Sequence, residues 1–279
     1  MKTLVLANQK GGVGKSAVAT LLVHYLARQG RRVLAVDFDH QGNFSKPLLQ
    51  MSGRVTVAAC TAGALLSGND FRGMPIEPLV LVPSDRILLG LERQPALHTA
   101  FARSFRAFLA AMDAQFDVCV VDTNPNPDIR LIAALASADF VLSPIQLNQE
   151  AMDGVSALLN HDRVGVRKIK AALNPKLRLI GLLPTMVEAT PFQKANFLQV
   201  VQQYYPLMIR IGEGPGAFAS IPRRSCIAEA QAAGEVLWEM KKTAARDAWR
   251  EIEPSVKRIA DILTTTATTT EATHAAAAR

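Results

Sequence analysis

Two kinds of apolar pattern alternate along the chain. TLVLANQ at 3–9, RRVLAVDFD at 31–39, LVLVPS at 79–84, FDVCVVDT at 116–123, ADFVLSPIQ at 138–146 and LRLIGLLPTMV at 177–187 are short and apolar at nearly every position, as strands covered on both faces are. Helix-period segments lie between them; the first, KSAVATLLVHYLARQG at 15–30, has Gly30 as its stop. Such alternation predicts a single doubly wound α/β domain, with a mostly parallel sheet and helices on both faces. Residues 52–78 break the rhythm with Gly53, Gly63, Gly68, Gly73, Pro75 and Pro78, which predicts a loop-rich excursion within that domain. SCIAEAQAAGEVLWEMKKTAARDAWREIEPSVKRIADIL predicts helices interrupted at Gly234, with a restart near Pro254. The domain is therefore expected over 1–263, followed by a low-complexity, disordered Thr/Ala-rich tail over 264–279.

Composition narrows the class. With 279 residues, 49% hydrophobic and 20% charged, the chain has enough apolar surface for a substantial core. A net charge of +7 favours a polyanionic partner, nucleic acid or an anionic membrane surface. Cys60, Cys119 and Cys226 form no C-x-x-C pair, and an odd number argues against a disulfide framework, so a reducing cytoplasm is the expected location. The opening residues carry no cationic leader pattern, and no apolar run approaches the ~18 residues of a spanning helix. Cys119 falls within a strand pattern, and His24 has the helical spacing of a packing residue.

The chemistry is concentrated at strand ends. NQKGGVGKS at 8–16 lies between a buried strand and a helix, and Gly11, Gly12 and Gly14 allow successive backbone N–H groups to face one phosphate chain. Lys15 would reach the β- and γ-phosphates and the Ser16 hydroxyl would ligate Mg²⁺. Gln9 stands where the ordinary phosphate loop has its first glycine and Lys10 follows, so a second cation guards the entrance. The second strand pattern ends in VDFDHQGN, where alternate spacing aims Asp37 and Asp39 at one face; one would support Mg²⁺ and the other orient water. FDVCVVDT ends in Asp122, an acid in the Walker B layout that supports the Mg²⁺ shell.

These segments resemble the ParA/MinD family of deviant Walker A ATPases. KGGVGKS at 10–16 is similar to its KGGxGK[ST] signature, VDFDHQGN at 36–43 to its DxDPQGN switch and VVDTNPN at 120–126 to its hhDxPP Walker B; the likeness runs to about residue 240. The resemblance implies a P-loop NTPase fold, ATP and Mg²⁺ as ligands, and slow, partner-stimulated hydrolysis. It implies a phosphate site of Gly11, Gly12, Val13, Gly14, Lys15, Ser16 and Ala17, with Thr185, Met186, Pro222 and Arg223 around the adenine. Asp39 then orients water, while Asp37 and Asp122 support the metal with Ser16. The extra lysine, Lys10, is implied to reach the phosphates of a second subunit in an ATP-bound homodimer.

The DPQGN-like, LLPTM and IPRR stretches are closer to the ParA partition branch of short type than to MinD, whose terminal basic amphipathic helix has no counterpart in the Thr/Ala-rich end. That branch implies non-specific DNA binding, association with the nucleoid and a ParB-like centromere-binding partner. The basic clusters available for DNA are Arg163, Arg167, Lys168 and Lys170, and Arg223, Arg224, Lys241 and Lys242, each weighed against a plain solvated helix face. Two rivals stand beside this reading: a positioning ATPase for protein or membrane cargo, and a redox ATPase, whose paired ligand cysteines have no equivalent here. The chain departs from the family pattern at His40, where proline is usual, and at Asn124 and Asn126, which flank Pro125 where a Pro-Pro pair is usual; slower or less responsive hydrolysis is the expectation that follows.

Overall fold

The structure is a computed structural model that describes every residue except 52, 69, 70, 72, 215 and 266–279. The predicted disordered tail lies outside the described residues, save its first two. In chain order the elements are β1 (Lys2–Leu6), α1 (Lys15–Arg28), β2 (Val33–Asp37), α2 (Ser45–Leu49), β3 (Thr56–Val57), α3 (Ala62–Leu66) and β4 (Leu79–Val82). There follow α4 (His98–Met112), β5 (Val118–Asp122), α5 (Ile129–Ser137), β6 (Phe140–Gln146), α6 (Ala151–Asn160), α7 (Val166–Ala172) and β7 (Arg178–Val187). The last are α8 (Pro191–Tyr204), β8 (Ile221–Pro222), α9 (Ser225–Ala233) and α10 (Thr243–Thr264).

Among the described residues eight strands form one sheet in the order β3-β4-β2-β5-β1-β6-β7-β8, with every strand pair parallel. Alternation along the strands divides the core: Leu4 and Leu6 pack towards α1, α9 and α10, whereas Val5 packs with α4, α5 and α6 on the other face. Both layers are apolar, which is why the strand patterns are nearly continuous rather than alternating. The chain runs from β1 out to β2, returns through β5, and continues on the other side with β6. The carboxyl end of β1 therefore lies where strand order reverses, the crevice in which open α/β sheets bind ligands.

Within the stretch expected to be loop-rich, β3 pairs with β4 at the sheet edge and Leu65 and Leu66 of α3 are packed in the core. Two expectations need correcting. The helix expected to restart near Pro254 begins at Thr243 and carries Pro254 inside it. Its buried stripe, Ala245, Ala248, Trp249, Ile252, Val256, Ile259 and Leu263, supplies apolar burial on both sides of the proline that outweighs the missing N–H. The second strand stops at Asp37, so period-two alternation does not carry through to Asp39, which lies in the following turn.

Among the described residues no helix is long and apolar enough to cross a membrane. His24 is buried beside Thr20, Gln231, Glu235 and Trp238, and its Nε2 has no hydrogen-bond partner among the described residues. Burial, helped by the charge of Arg54, lowers its pKa from 6.5 to about 4. The folded chain therefore resists a proton that the unfolded chain accepts, and stability present above pH 6.5 is lost as pH falls towards 4. Between about pH 7.5 and pH 5 this residue should cost about 2 kcal/mol of unfolding free energy. Denaturant titration of the unaltered chain and of His24→Phe at both pH values checks it; equal pH slopes would refute it.

Candidate functional site

The loop from Asn8 to Lys15 leaves β1 and enters α1 through Gly14, whose φ of 83° is left-handed, as is the 74° of Gly12. A side chain at either position would be strained, so the glycines hold the loop in a form that points backbone N–H groups inward. Val13 is buried, Gly11 and Gly12 are exposed, and Ala17 is half-buried on the first turn of α1. Asn8 braces the loop: its Nδ2 donates to Pro144 O at 2.8 Å, and its Oδ1 accepts from Lys10 N at 2.8 Å. Lys15 begins α1, nearly buried, and its Nζ donates to Asn8 O at 3.1 Å and Lys10 O at 3.3 Å. Burial lowers its pKa, while Asp122 and Asp39 pull the other way. An amine satisfied only by loop carbonyls gains from exchanging them for phosphate oxygens.

Asp37 and Asp122 are direct neighbours across β2 and β5, and both are fully buried. Ser16 Oγ donates to Asp122 Oδ2 at 2.6 Å, whereas Asp122 Oδ1 is buried without a hydrogen-bond partner among the described residues. Burial first, then the charge of Asp37, pushes the Asp122 carboxyl well above the usual carboxylate range. Burial likewise raises Asp37 to about 6, against the hydrogen bonds it accepts. An orphaned buried carboxylate oxygen beside a serine hydroxyl and a second crowded acid fits Mg²⁺ held at Ser16 and, directly or through water, at Asp122.

Asp37 has a different employment. Its Oδ2 accepts from Ser45 N at 2.8 Å and Ser45 Oγ at 2.7 Å, and its Oδ1 from Asp39 N at 2.9 Å. It braces the turn after β2 and the start of α2 while adding negative charge beneath the site. Asp39 accepts from Gln41 N at 3.0 Å through Oδ1, and among the described residues its Oδ2 has no hydrogen-bond partner. Lys10 turns outward and forms an ion pair with Glu150, more than half exposed, so its ammonium sits at the edge of the loop and not over the phosphate position.

On the other side of the loop, Thr185 Oγ1 lies 2.8 Å from Val13 O and 3.0 Å from Ile145 O, two carbonyls that share its one hydroxyl proton. Met186 has a φ of 52°, uncommon for any side chain but glycine, and sits at a register shift between β7 and β8. Pro222 pairs with Val187, and Arg223 N donates to Val187 O at 3.0 Å. These four residues therefore gather at the end of β7, with Thr185 against the loop. Sequence reasoning missed Gln146, whose Nε2 donates to Gly12 O at 3.1 Å, and also Asn8 and Ser45. The only advance signal was their place at strand ends or beside a motif.

The basic clusters lie in different layers, the first with α7 on the α5 side and the second around α9 and α10. Arg167, Lys168 and Lys170 are exposed and form no ion pair with an acidic side chain among the described residues. Arg163 is tied to Glu92. In the second cluster Arg223 pairs with Glu188, Arg224 with Glu251 and Lys242 with Glu229, while Lys241 is exposed. Cys119 is in the core, Cys226 places its Sγ 3.6 Å from Ala244 O, and Cys60 belongs to the excursion; all three are free thiols.

The family described as "AAA domain" matches residues 1–179. Protein IncC of Escherichia coli is 35% identical over 259 residues, covering 90% of this chain and 67% of its own length. The chromosome-partitioning ATPase Soj of Thermus thermophilus is 33% identical, covering 88% of this chain and 90% of its own. Among solved structures, cobyrinic acid a,c-diamide synthase from Mycobacterium smegmatis with bound ATP analog and magnesium is 27% identical, with a TM-score of 0.67, over 84% of this chain and 91% of that one.

Proposed function

The chain belongs to the partition branch of the ParA/MinD ATPases, and from that premise we propose that it drives partition of a plasmid, mobile element or chromosome by coupling ATP binding and hydrolysis to dimerisation on DNA. The observation that carries the reading is the meeting of Lys15 and Ser16, at the start of α1, with Asp122, at the end of β5: Ser16 Oγ donates to Asp122, and the charges of Lys15 and Asp122 act on each other at the carboxyl edge of the sheet. ATP and Mg²⁺ are the substrate and ion that this charge arrangement suits. When bound, Mg²⁺ neutralises charge on the phosphate oxygens. Lys15 binds the β- and γ-phosphates, the loop N–H groups hold the chain of phosphates, and Asp39 orients the attacking water. Thr185, Met186, Pro222 and Arg223 bound the adenine. Asp37 acts mainly as the brace of the Asp39 turn.

In this reading the protein is a single ATPase domain over 1–263, cytoplasmic and nucleoid-associated. Lys10 leaves Glu150 to reach the triphosphate of a second subunit, which makes ATP part of a homodimer interface, and a ParB-like partner stimulates slow hydrolysis. Non-specific DNA is held by the α7 cluster, whose Arg167, Lys168 and Lys170 are free of acidic partners among the described residues. The test is titration against non-specific duplex DNA and anionic vesicles, each with ATP, with ADP and without nucleotide. Binding to DNA should require ATP, weaken steeply with salt, and be lost in Lys15→Ala. Binding to vesicles alone would favour the cargo-positioning rival.

A further inference from the structure

A buried polar strap joins the loop after β5 to the turn after β2. Asp128 caps α5 by accepting from Arg130 N at 3.0 Å, and it also receives the Arg130 guanidinium: Nε lies 3.2 and 3.0 Å from its two carboxylate oxygens, and a second nitrogen donates to Oδ2. The two side chains are 5% and 9% exposed, so this is an ion pair removed from water, where breaking one partner is costly and the planar fork fixes direction. Asn124 enters from the Walker B side, its Nδ2 donating to Asp128 Oδ2 at 3.0 Å. At the far end, Arg130 NH1 lies 3.3 Å from His40 Nδ1.

Arginine offers no acceptor, so His40 Nδ1 must be the unprotonated nitrogen and the ring proton sits on Nε2. Nε2 in turn lies 2.8 Å from the side-chain amide of Gln41, which meets it with the amide oxygen in the matching flip. The same Nδ1 lies 3.5 Å from Asp39 Oδ1. That second approach sets one acceptor against another and holds nothing, so His40 is anchored by the guanidinium and by Gln41 and acts on Asp39 through the backbone of the turn they share. The Asp39 turn itself has few ties: Asp39 N to Asp37, Gln41 N to Asp39 Oδ1, and Gly42 N to Asp39 O at 2.9 Å.

We infer that Arg130 and Asp128, acting through His40, are positioning residues that aim the Asp39 carboxylate from the N-terminus of α5. The inference rests on Asp39 orienting water for ATP hydrolysis. It unites His40 and Asn124, both departures from the family pattern, as two members of one strap. Because the strap touches neither the phosphate loop nor the Thr185 side, its loss should slow turnover and leave ATP binding alone.

Steady-state turnover of the full chain tests it. His40→Ala should lower kcat at least about tenfold with KM for ATP unchanged. His40→Asn, which offers an acceptor where Nδ1 stood, should restore most of the loss. A wild-type kcat in His40→Ala, or an equal loss in His40→Asn, would overturn the inference. A second readout needs no activity. In the ¹⁵N-histidine-labelled, nucleotide-free chain, the resonance missing from His40→Asn should report the Nε2–H tautomer. Arg130→Lys should shift it. An Nδ1–H tautomer would overturn the strap alone, whereas absence of ATP turnover in the unaltered chain would overturn the function beneath it.

Discussion

A chain carrying Lys10→Ala is expected to bind ATP, to stay monomeric when it does so, and to turn it over about 10³-fold more slowly, the scale of a transition-state cation supplied in trans. The geometry separates the two lysines of the loop. Lys15 opens α1, is nearly buried, and is held by carbonyls of the loop it serves. Lys10 leaves the loop in the opposite sense and ends on exposed Glu150, whose carboxyl it holds below the usual range by its hydrogen bond and charge. A side chain parked at the rim gives its own phosphates little, but it can cross to a facing subunit if its surface ion pair opens, and such pairs are weak. In a two-fold dimer each substitution removes two contacts, so association and catalysis should fail together. Light scattering with ATP, turnover, and ATP affinity by titration check the three parts. ATP-dependent dimers and normal turnover in Lys10→Ala would remove the trans role.

The sheet and the phosphate loop were readable in the chain because their signals are local. Continuous apolar runs mark doubly covered strands, and Gly12 and Gly14 mark a backbone that other residues resist. Asp122 and Ser16 were legible through motif position, although only the fold brings them to 2.6 Å. What escaped was non-local or overridden. Asn8 braces Pro144 from 136 residues away, and Arg130 meets His40 across 90, separations at which no period or spacing carries information. Pro254 signals a break that the buried face of α10 outweighs. The strand end at Asp37 was misplaced by two residues because Phe38, fully buried, prolongs the apolar pattern into the turn. That small shift changes the chemistry: Asp37 and Asp39 are not an alternating pair on one strand but a brace and the residue it braces.

Their different employment sets the largest remaining expectation. Asp39→Ala should lower ATP turnover by about 10²- to 10⁴-fold, the range for a positioned acid–base group, while ATP-dependent dimerisation persists and ATP-bound dimers accumulate. Asp39 is little exposed, with Oδ1 engaged by Gln41 N and Oδ2 without a hydrogen bond among the described residues, so one oxygen can face a water in the crevice. Asp37 has no such freedom, since Ser45 and the Asp39 N–H occupy both its oxygens. Asp37→Ala should therefore lower the melting temperature, because it strands two buried donors of Ser45, whereas Asp39→Ala should leave melting nearly unchanged. Asp39→Asn separates the chemical role from the structural one: it keeps an oxygen for Gln41 N yet lacks the carboxylate charge, and it should be as slow as Asp39→Ala. If Asp39→Asn turns over ATP at the unaltered rate, the carboxylate does not orient the water; if Asp39→Ala no longer dimerises with ATP, the residue serves assembly rather than the hydrolytic step.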